Sequence, residues 1–580
     1  MIKLTEIKQK YRAVRNRAKE MSLPQVCRSF LLMLLRLVTA SYLVIMVVML
    51  PLYFNTETFY SEMGSDKSYF FRKTGFFLLR LFIHIFIYYL IFAMICWWQE
   101  NKKRKGKLSI LINALLDSLS VTDIFAIIYT IGLSLSYYYT DYPESLYLGA
   151  QAWFMGFMPQ LLLVGSYFAV SRLLTKKIAK WLAGMMLTVS FVVFTLGLLN
   201  RYGVNPLSMI TSGPSFISTI GNINWYCGYW SVLFPVGVGL FLFYEKQRVL
   251  LGVFISIGFA TGLTQGSQSG IVALAATLVL LGCIAVKDRR LGKRYLEMLL
   301  LFCVTMQGLS LVQSLWPDRN QYVTAVYNLI TKTPLPWVLG VVIIILYLLL
   351  NKEEKGLAVH PKGREPVYQR LRIAWFGFMI LIVMTCVTYF VLLLINTIWH
   401  GSIGFLSDNP LFIFNETWGS SRGGTWSVGI RTWLSQDTLH KVVGVGPDGM
   451  AAYIYNGPDD KLLQIVLDQF GNSRLTNAHG EWITILANLG ILGLIGFAGM
   501  MVSSIIRFIR VPRAGKNMTE QHFIQIMCMT CGIALFSYCI NNMFSFQQTM
   551  NVTQMFILLG LGEYLYQVQR KDIKIERLGT

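Results

Sequence analysis

Apolar runs of about twenty residues recur along almost the whole chain and constrain its fold more than any other feature. A run of that length can cross the hydrocarbon core of a bilayer as a helix. Only 14% of the 580 residues are charged and 54% are hydrophobic, whereas soluble domains carry roughly 25% charged residues. The short alternating segments of a transmembrane barrel are missing. The sequence therefore predicts an all-α integral membrane protein.

The apolar runs predict fourteen transmembrane helices, with both termini in the cytoplasm. The helices are expected at 29–53, 75–98, 118–139, 149–171, 181–200, 225–243, 249–263, 269–286, 296–316, 335–351, 373–399, 482–506, 523–546 and 552–568. A basic cytoplasmic segment, 1–28, precedes helices 1–11 (29–399). A large extracytoplasmic loop, 400–481, separates them from helices 12–14 (482–568) and the cytoplasmic tail 569–580.

The net charge of +22 does not indicate nucleic-acid binding, because the basic residues lie in short connections between apolar runs. With the N-terminus inside, the predicted cytoplasmic segments hold 38 of the 51 Lys and Arg residues. Cytoplasmic loops of membrane proteins carry this excess of positive charge. Removing one span would invert every later loop, so the charge pattern favours the even number of spans.

Four polar clusters interrupt the apolar sequence, and the predicted topology puts all of them on the outer side. The first, 221–226, contains Asn222 and Asn224, and the second, 264–270, contains Gln268. The third runs from 418 to 449 and the fourth, 477–482, opens the twelfth span. Clusters that converge on one face are what a single site requires.

Some of these residues also have purely structural explanations. Asn222 and Asn224 are suited to capping a helix, and the small residues around Gln268 are suited to helix packing in membranes. Asp448 lies in a Gly-Pro-Asp-Gly sequence that is typical of a turn. These alternatives stay open at the level of sequence.

Arg422, Arg431 and His479 point more directly to chemistry. The two arginines are interleaved with tryptophans, Trp426 among them, in a loop with little other positive charge. Arginine presents a planar fork suited to phosphate, and aromatic rings suit sugar faces or the bilayer interface. His479 is of the residue class that acts as a general base near neutral pH.

The third and fourth clusters resemble the O-antigen ligase and polymerase superfamily. The resemblance is carried by Arg422-Gly423-Gly424-Thr425-Trp426, the Gly444-Val445-Gly446 turn, and the His479-Gly480-Glu481 opening of a helix that continues into Leu489-Gly490-Ile491-Leu492-Gly493. It covers roughly residues 215–500. The sequence departs from the family at two positions, where Gln268 replaces an arginine and Gly480 replaces an asparagine.

The resemblance implies a multi-pass glycosyltransferase of the C type in the cytoplasmic membrane of a bacterium, needing neither cofactor nor metal. Its donor would be an undecaprenyl-diphosphate-linked oligosaccharide and its acceptor a glycan or lipid hydroxyl on the outer face. A flippase or a chain-length regulator is an expected partner. Whether such a chain polymerises the glycan or ligates it to another acceptor stays open. The alternative class is a transporter, such as a flippase of the same lipid-linked glycan.

On this interpretation each candidate residue has a role. His479 is the expected base for an attack that inverts the anomeric carbon, and Glu481 either orients it or replaces it. The cations that a departing diphosphate needs would come from Arg422 and Arg431, with Gln268 beside them. The remaining candidates, expected to bind substrate, are Asn222, Asn224, Trp426 and Asp448.

Overall fold

The computed structural model describes residues 21–57, 59, 62–102, 107–149, 153–209, 213, 215–319, 323–359, 366–399, 403–471, 473–512 and 519–579. Most of the predicted basic segment 1–28 lies outside these residues. The described helices are α1 (Leu23–Leu52), α2 (Met63–Glu100), α3 (Lys107–Ser118), α4 (Val121–Tyr139), α5 (Pro143–Leu146), α6 (Phe157–Leu173), α7 (Lys176–Arg201), α8 (Ile223–Phe243), α9 (Arg248–Thr264), α10 (Gln268–Ala285), α11 (Arg289–Leu315), α12 (Ala325–Lys332), α13 (Leu335–Val359), α14 (Pro366–Ile398), α15 (Trp418–Ser435), α16 (Thr438–Val443), α17 (Met450–Asn456), α18 (Asp460–Phe470), α19 (Glu481–Ile509), α20 (Thr519–Asn541) and α21 (Thr549–Gly579). Strands β1 (Phe216–Ile217) and β2 (Gly221–Asn222) pair antiparallel before α8.

These helices indicate an all-α membrane protein. Eleven helices of the described residues are long and apolar enough to cross a bilayer, and each of the fourteen predicted spans coincides with a helix. Three of the predicted spans correspond to helices outside this set of eleven. They are α6 and α9, each of 17 residues, and α21, which continues into a polar C-terminal half. The number of crossings and the sidedness stay predictions.

Helix α2 begins twelve residues before the predicted span, at Met63 rather than at residue 75. The cause is Lys67, which is fully buried and donates from Nζ to the carbonyl oxygens of Leu50 (2.6 Å) and Tyr53 (2.7 Å). Carbonyls at a helix C-terminus have no partner inside their own helix. The polar first turns of α2 therefore cap α1, and hydropathy alone does not reveal this role.

Helix α8 is the centre of the bundle, since every residue from Trp225 to Phe243 is buried. It packs against α7, α9, α10, α20 and α21. Glycines on α8 allow close approach: a Cβ at Gly228 would lie 2.4 Å from Asn551 Nδ2, and one at Gly239 would lie 2.7 Å from Thr530 Oγ1. Small residues at such contacts are typical of helix packing in membranes.

The long loop predicted at 400–481 contains helices α15 to α18, called the cap below. The cap encloses its own apolar core, which comprises Val428, Met450, Ile454, Leu462, Val466, Leu475 and Ala478, with Ala487 contributed by α19. A loop that packs its own side chains in this way is typical of a functional insertion.

The cap is joined to the bundle at a break in α19. Gly490 has φ 64° and ψ −167°, a conformation essentially restricted to glycine. The break frees the carbonyl of Asn488, which accepts hydrogen bonds from Gly446 N (3.0 Å) and Ser136 Oγ (2.7 Å). Irregular backbone within a membrane helix is tolerated where protein satisfies its polar groups. The 444–446 turn therefore locks the cap onto α19.

Candidate functional site

A chain of buried hydrogen bonds joins the first two polar clusters to the end of α20. Ser267 Oγ donates to Asn224 Oδ1 (2.9 Å) and lies 2.8 Å from Ser269 Oγ. Ser269 Oγ in turn donates to Cys227 Sγ (3.7 Å), whose thiol donates to Asn541 Oδ1 (3.1 Å). The first two clusters therefore meet at one end of the bundle.

Arg422 brings the third cluster to the same end. Its Nε donates to Phe544 O (2.9 Å) and its Nη1 to Gly419 O (3.0 Å), so that three of its five N–H groups have no hydrogen-bond acceptor among the described residues. Burial lowers the pKa of Arg422, and the side chain interacts electrostatically with Cys227. A partly desolvated guanidinium with unused donors is suited to an anionic ligand.

Trp426 covers the fourth cluster. Its ring stacks on Phe544 with centroids 5.6 Å apart and an interplanar angle of 29°. A Cβ at Gly480 would lie 2.8 Å from Trp426 Nε1 and 3.0 Å from Met543 O. The larger asparagine that the resemblance leads one to expect at position 480 would therefore collide with Trp426.

His479 lies between Arg422 and the bundle in a strained backbone conformation. Its φ is 49°, in the left-handed region that non-glycine residues seldom adopt. The conformation is held by Asn477, whose Oδ1 accepts the His479 N–H at 2.8 Å, and the ring packs edge-on against Phe546. Nδ1 is buried without a hydrogen-bond partner. Strain of this kind gathers at functional sites.

The protonation state of His479 follows from its surroundings. Burial, and then the positive charge of Arg422, lower its pKa to about 4. The imidazole is therefore neutral near pH 7 and able to accept a proton, although it is a weaker base than an exposed histidine. An anion bound to Arg422 would offset part of this effect.

Glu481 and Asp448 line a small cavity beside His479, called the carboxylate cavity below. Its polar lining comprises Gln160, Asp448, Asn477, Glu481, Thr484, Asn488 and Gln547, and its volume is about 30 Å³. Glu481 is 4% exposed, and its Oε2 accepts the Gln547 N–H at 2.6 Å. Asp448 has φ 62°, and its Oδ2 accepts the Met155 N–H at 3.3 Å.

Two of the residues predicted to bind diphosphate do not join Arg422 and His479 beside the carboxylate cavity. Arg431 is exposed on α15, nine residues after Arg422 and hence about 180° around the helix from it. Gln268 is the exposed first residue of α10, whereas Gln265 is fully buried behind it. Asn222 caps α8 through a hydrogen bond from Asn224 N (2.8 Å), the structural role left open above.

A polar segment that the sequence analysis did not single out, 541–554, completes the site. It connects α20 to α21 and contains the buried carboxamides Asn541, Asn542, Gln547, Gln548, Asn551 and Gln554. Most of these carry a side-chain atom with no hydrogen-bond partner. The signal available in the sequence was a concentration of Asn and Gln residues between two apolar runs. Amide side chains are costly to bury unless they bind something.

Within the described residues, no group of three or more His, Cys, Asp or Glu side chains could hold a metal ion. The arrangement instead offers a cation, a neutral imidazole and two carboxylates at the junction of cap and bundle. No protein-family model matches the chain, and neither the curated proteins nor the solved structures give a significant match.

Proposed function

We propose that this protein is a membrane glycan transferase. It moves an oligosaccharide from an isoprenoid-diphosphate donor, undecaprenyl diphosphate by the resemblance above, to an acceptor hydroxyl at the outer face of a bacterial cytoplasmic membrane. The observation that carries the proposal is the meeting of Arg422, His479 and Glu481 where the cap covers the bundle. A buried cation with unused donors next to proton acceptors matches what glycosyl transfer from a diphosphate needs.

The reaction divides between two sides of this site. On one side, the N–H groups of Arg422 bind the diphosphate and stabilise the negative charge that develops as its bond to the anomeric carbon breaks. On the other side, a proton acceptor takes the proton of the attacking hydroxyl. His479 and Glu481 are the candidate acceptors, and direct displacement inverts the anomeric carbon.

The competing proposal, a lipid-glycan transporter, draws less support. Transporters carry ionisable residues along the path of their substrate. In two ion pairs of this bundle, Arg507 with Glu563 and Arg172 with Asp123, the fully buried carboxylate is bound to an arginine of a neighbouring helix. His479, Asn477 and Gln547, where the cap meets the bundle, each have a buried polar atom without a hydrogen-bond partner.

The test is transfer by the full chain in nanodiscs, with lipid-linked oligosaccharide from a bacterial extract as donor and product size read on a gel. Arg422→Ala should reduce transfer at least a hundredfold, because loss of one such electrostatic contact costs about 10²–10³ in rate. Arg431→Ala is the matched control and should retain transfer. A ladder of products would identify a polymerase, and a single conjugate a ligase.

Two outcomes would contradict the proposal. Wild-type protein that gives no product with authentic donor and acceptor, yet moves the lipid-linked glycan across the bilayer, would establish the transporter. Full transfer by Arg422→Ala together with loss in Arg431→Ala would assign the diphosphate to the exposed face of α15.

A further inference from the structure

The carboxylate cavity differs in charge from the Arg422 side of the site. Two carboxylates, Asp448 and Glu481, line it, and no Lys, Arg or His is among the described residues of its lining. A phosphate or any other anion placed there would lie beside two acidic side chains and find no cation in the described lining. The cavity is therefore suited to a neutral or positively charged group.

The unpartnered hydrogen-bonding groups of the cavity favour a neutral group over a positively charged one. Asn477 Nδ2 and Gln547 Nε2 are buried donors without hydrogen-bond partners, on side chains that are 4% and 6% exposed. The orientation of the Asn477 amide follows from its Oδ1, which accepts the His479 N–H. N–H donors beside carboxylate acceptors repel a bare cation, but they match a hydroxyl group, which accepts and donates at once.

Glu481 has a carboxylate oxygen that can accept a hydrogen bond from such a hydroxyl. Its Oε2 is held by the Gln547 N–H, and its Oε1 has no hydrogen-bond partner among the described residues. Buried donors that stay unpaired lose the hydrogen bonds that they would make with water. A ligand hydroxyl in the cavity could form hydrogen bonds with these donors and with Glu481 Oε1.

The size and apolar lining of the cavity narrow the ligand further. A volume of about 30 Å³ holds one or two heavy atoms, which is a hydroxyl with its carbon and not a whole sugar ring. Trp153 and Phe546 also line the cavity, with their rings 4.6 Å apart in an edge-to-face arrangement. Flat apolar rings beside carboxylate and amide groups suit the C–H face and the hydroxyl of one saccharide residue.

We propose that the carboxylate cavity is the acceptor subsite, where one hydroxyl of a neutral saccharide binds and gives its proton to Glu481. The assignment rests on the glycan-transferase function proposed above. The hydroxyl oxygen, oriented by Asn477 and Gln547, forms the new bond to the anomeric carbon. The bond from that carbon to the diphosphate oxygen breaks, its electron pair leaves with the diphosphate on Arg422, and the hydroxyl proton moves to Glu481 Oε1.

The experiment is saturation-transfer NMR on the full chain in nanodiscs, with the methyl glycosides of glucose, galactose, mannose and N-acetylglucosamine as probes. At least one probe should receive saturation from the wild type at millimolar concentration. That signal should fall at least fivefold in Gln547→Met and Glu481→Gln. Gln569→Met is the matched control: its side-chain Oε1 is buried and unpartnered too, but it lies in the C-terminal half of α21 and does not line the cavity, so its signal should equal that of the wild type.

Monodeoxy versions of the bound glycoside test the one-hydroxyl geometry. Removing the hydroxyl that enters the cavity should abolish the signal, and removing any other should reduce it less than threefold. The inference is overturned if no glycoside binds the wild type, if the Gln547 and Glu481 variants bind as well as the wild type, or if Gln569→Met loses the same signal. Melting temperatures within 2 °C of the wild type are required for each variant. If the melting temperature of Glu481→Gln differs from the wild type by more than that limit, the proposal is judged on Gln547→Met and on the monodeoxy glycosides.

A second arm keeps this inference separate from the proposed function. Geranylgeranyl diphosphate, a short isoprenoid diphosphate, should bind the wild type and Gln547→Met equally and bind Arg422→Ala at least tenfold more weakly. Diphosphate binding without any glycoside binding would overturn the acceptor subsite and leave the donor side intact. Failure of both probes would count against the transferase proposal itself.

Discussion

The two ends of the helix bundle differ in how their charged side chains are paired. At the end opposite the cap, Asp123 accepts hydrogen bonds from Tyr167 Oη and Arg172 Nη2, both 2.6 Å long. Arg507 there bonds both oxygens of Glu563, at 2.7 and 3.1 Å. At the cap end, roughly 40 Å away along α19, His479 Nδ1 and several carboxamides have no partner.

The difference separates structural polar groups from functional ones. Buried charges that pair with each other hold helices in register, and nothing in the network needs a ligand. Buried groups left unpaired are costly and persist where a ligand completes them. Breaking the ion pairs should therefore cost more stability than any change at the cap end.

The largest effect is expected where a buried pair is broken. Arg507→Met leaves Glu563, whose side chain is 0% exposed, without its cation, and should cost about 3–5 kcal/mol of unfolding free energy. Thermal unfolding in nanodiscs measures this loss. The double variant Arg507→Met with Glu563→Met should recover most of it. A single variant as stable as the double would show that the pair does not hold the bundle together.

A slightly smaller loss is expected at the break in α19. A Cβ at Gly490 would lie 2.3 Å from Val442 O and 2.7 Å from Gly444 N, in a conformation open essentially to glycine alone. Gly490→Ala should therefore cost about 3 kcal/mol and displace the cap, lowering both the melting temperature and transfer. Gly184→Ala is the control, since a Cβ there meets nothing within 4 Å. An unchanged melting temperature in Gly490→Ala would mean that the cap is not locked by this turn.

Acid should weaken the cap end through His479. The pKa of His479 is about 4 in the folded chain because of burial and Arg422, against about 6.5 when unfolded. Between these values the unfolded chain binds the extra proton, so stability falls as the pH drops from 6.5 towards 4, by up to about 3 kcal/mol. His479→Asn, which tolerates the same positive φ, should unfold with less dependence on pH in that window. Equal pH dependence in both proteins would place the acid sensitivity elsewhere.

The smallest effect, of opposite sign, is expected at His440 on the cap surface. Burial lowers its pKa, but hydrogen bonds with Asp437 Oδ2 (2.8 Å) and Tyr139 O (3.2 Å) outweigh burial and raise it. Its contribution is therefore present below pH 6.5 and is lost as the pH rises through the raised pKa. His440→Gln should lower stability by less than about 1 kcal/mol at pH 5.5 and not at all at pH 9. A loss that grows with pH would reverse this assignment.

The sequence by itself determined the class of the fold and most helix positions. Long apolar runs can satisfy their backbone in lipid only as helices, so runs such as 225–243 and 482–506 coincide with α8 and α19. Helix-capping residues act locally, and for that reason the sequence could offer helix capping as an alternative to substrate binding for Asn222 at the start of α8. Hydropathy did not identify the polar turns of α2, which are buried because Lys67 reaches the end of α1.

Only the tertiary structure decided which polar residues share a site. Arg422 and Arg431 look equivalent in a loop, but once α15 forms, the helical period of 3.6 residues turns them to opposite faces. Gln547 lies 66 residues from Glu481, and no local pattern could reveal that its N–H holds that carboxylate. Local propensity depends on neighbours along the chain, whereas a site depends on packing between distant segments. The sequence therefore indicates the polar clusters, and the packing of α19, α21 and the cap selects the members that meet.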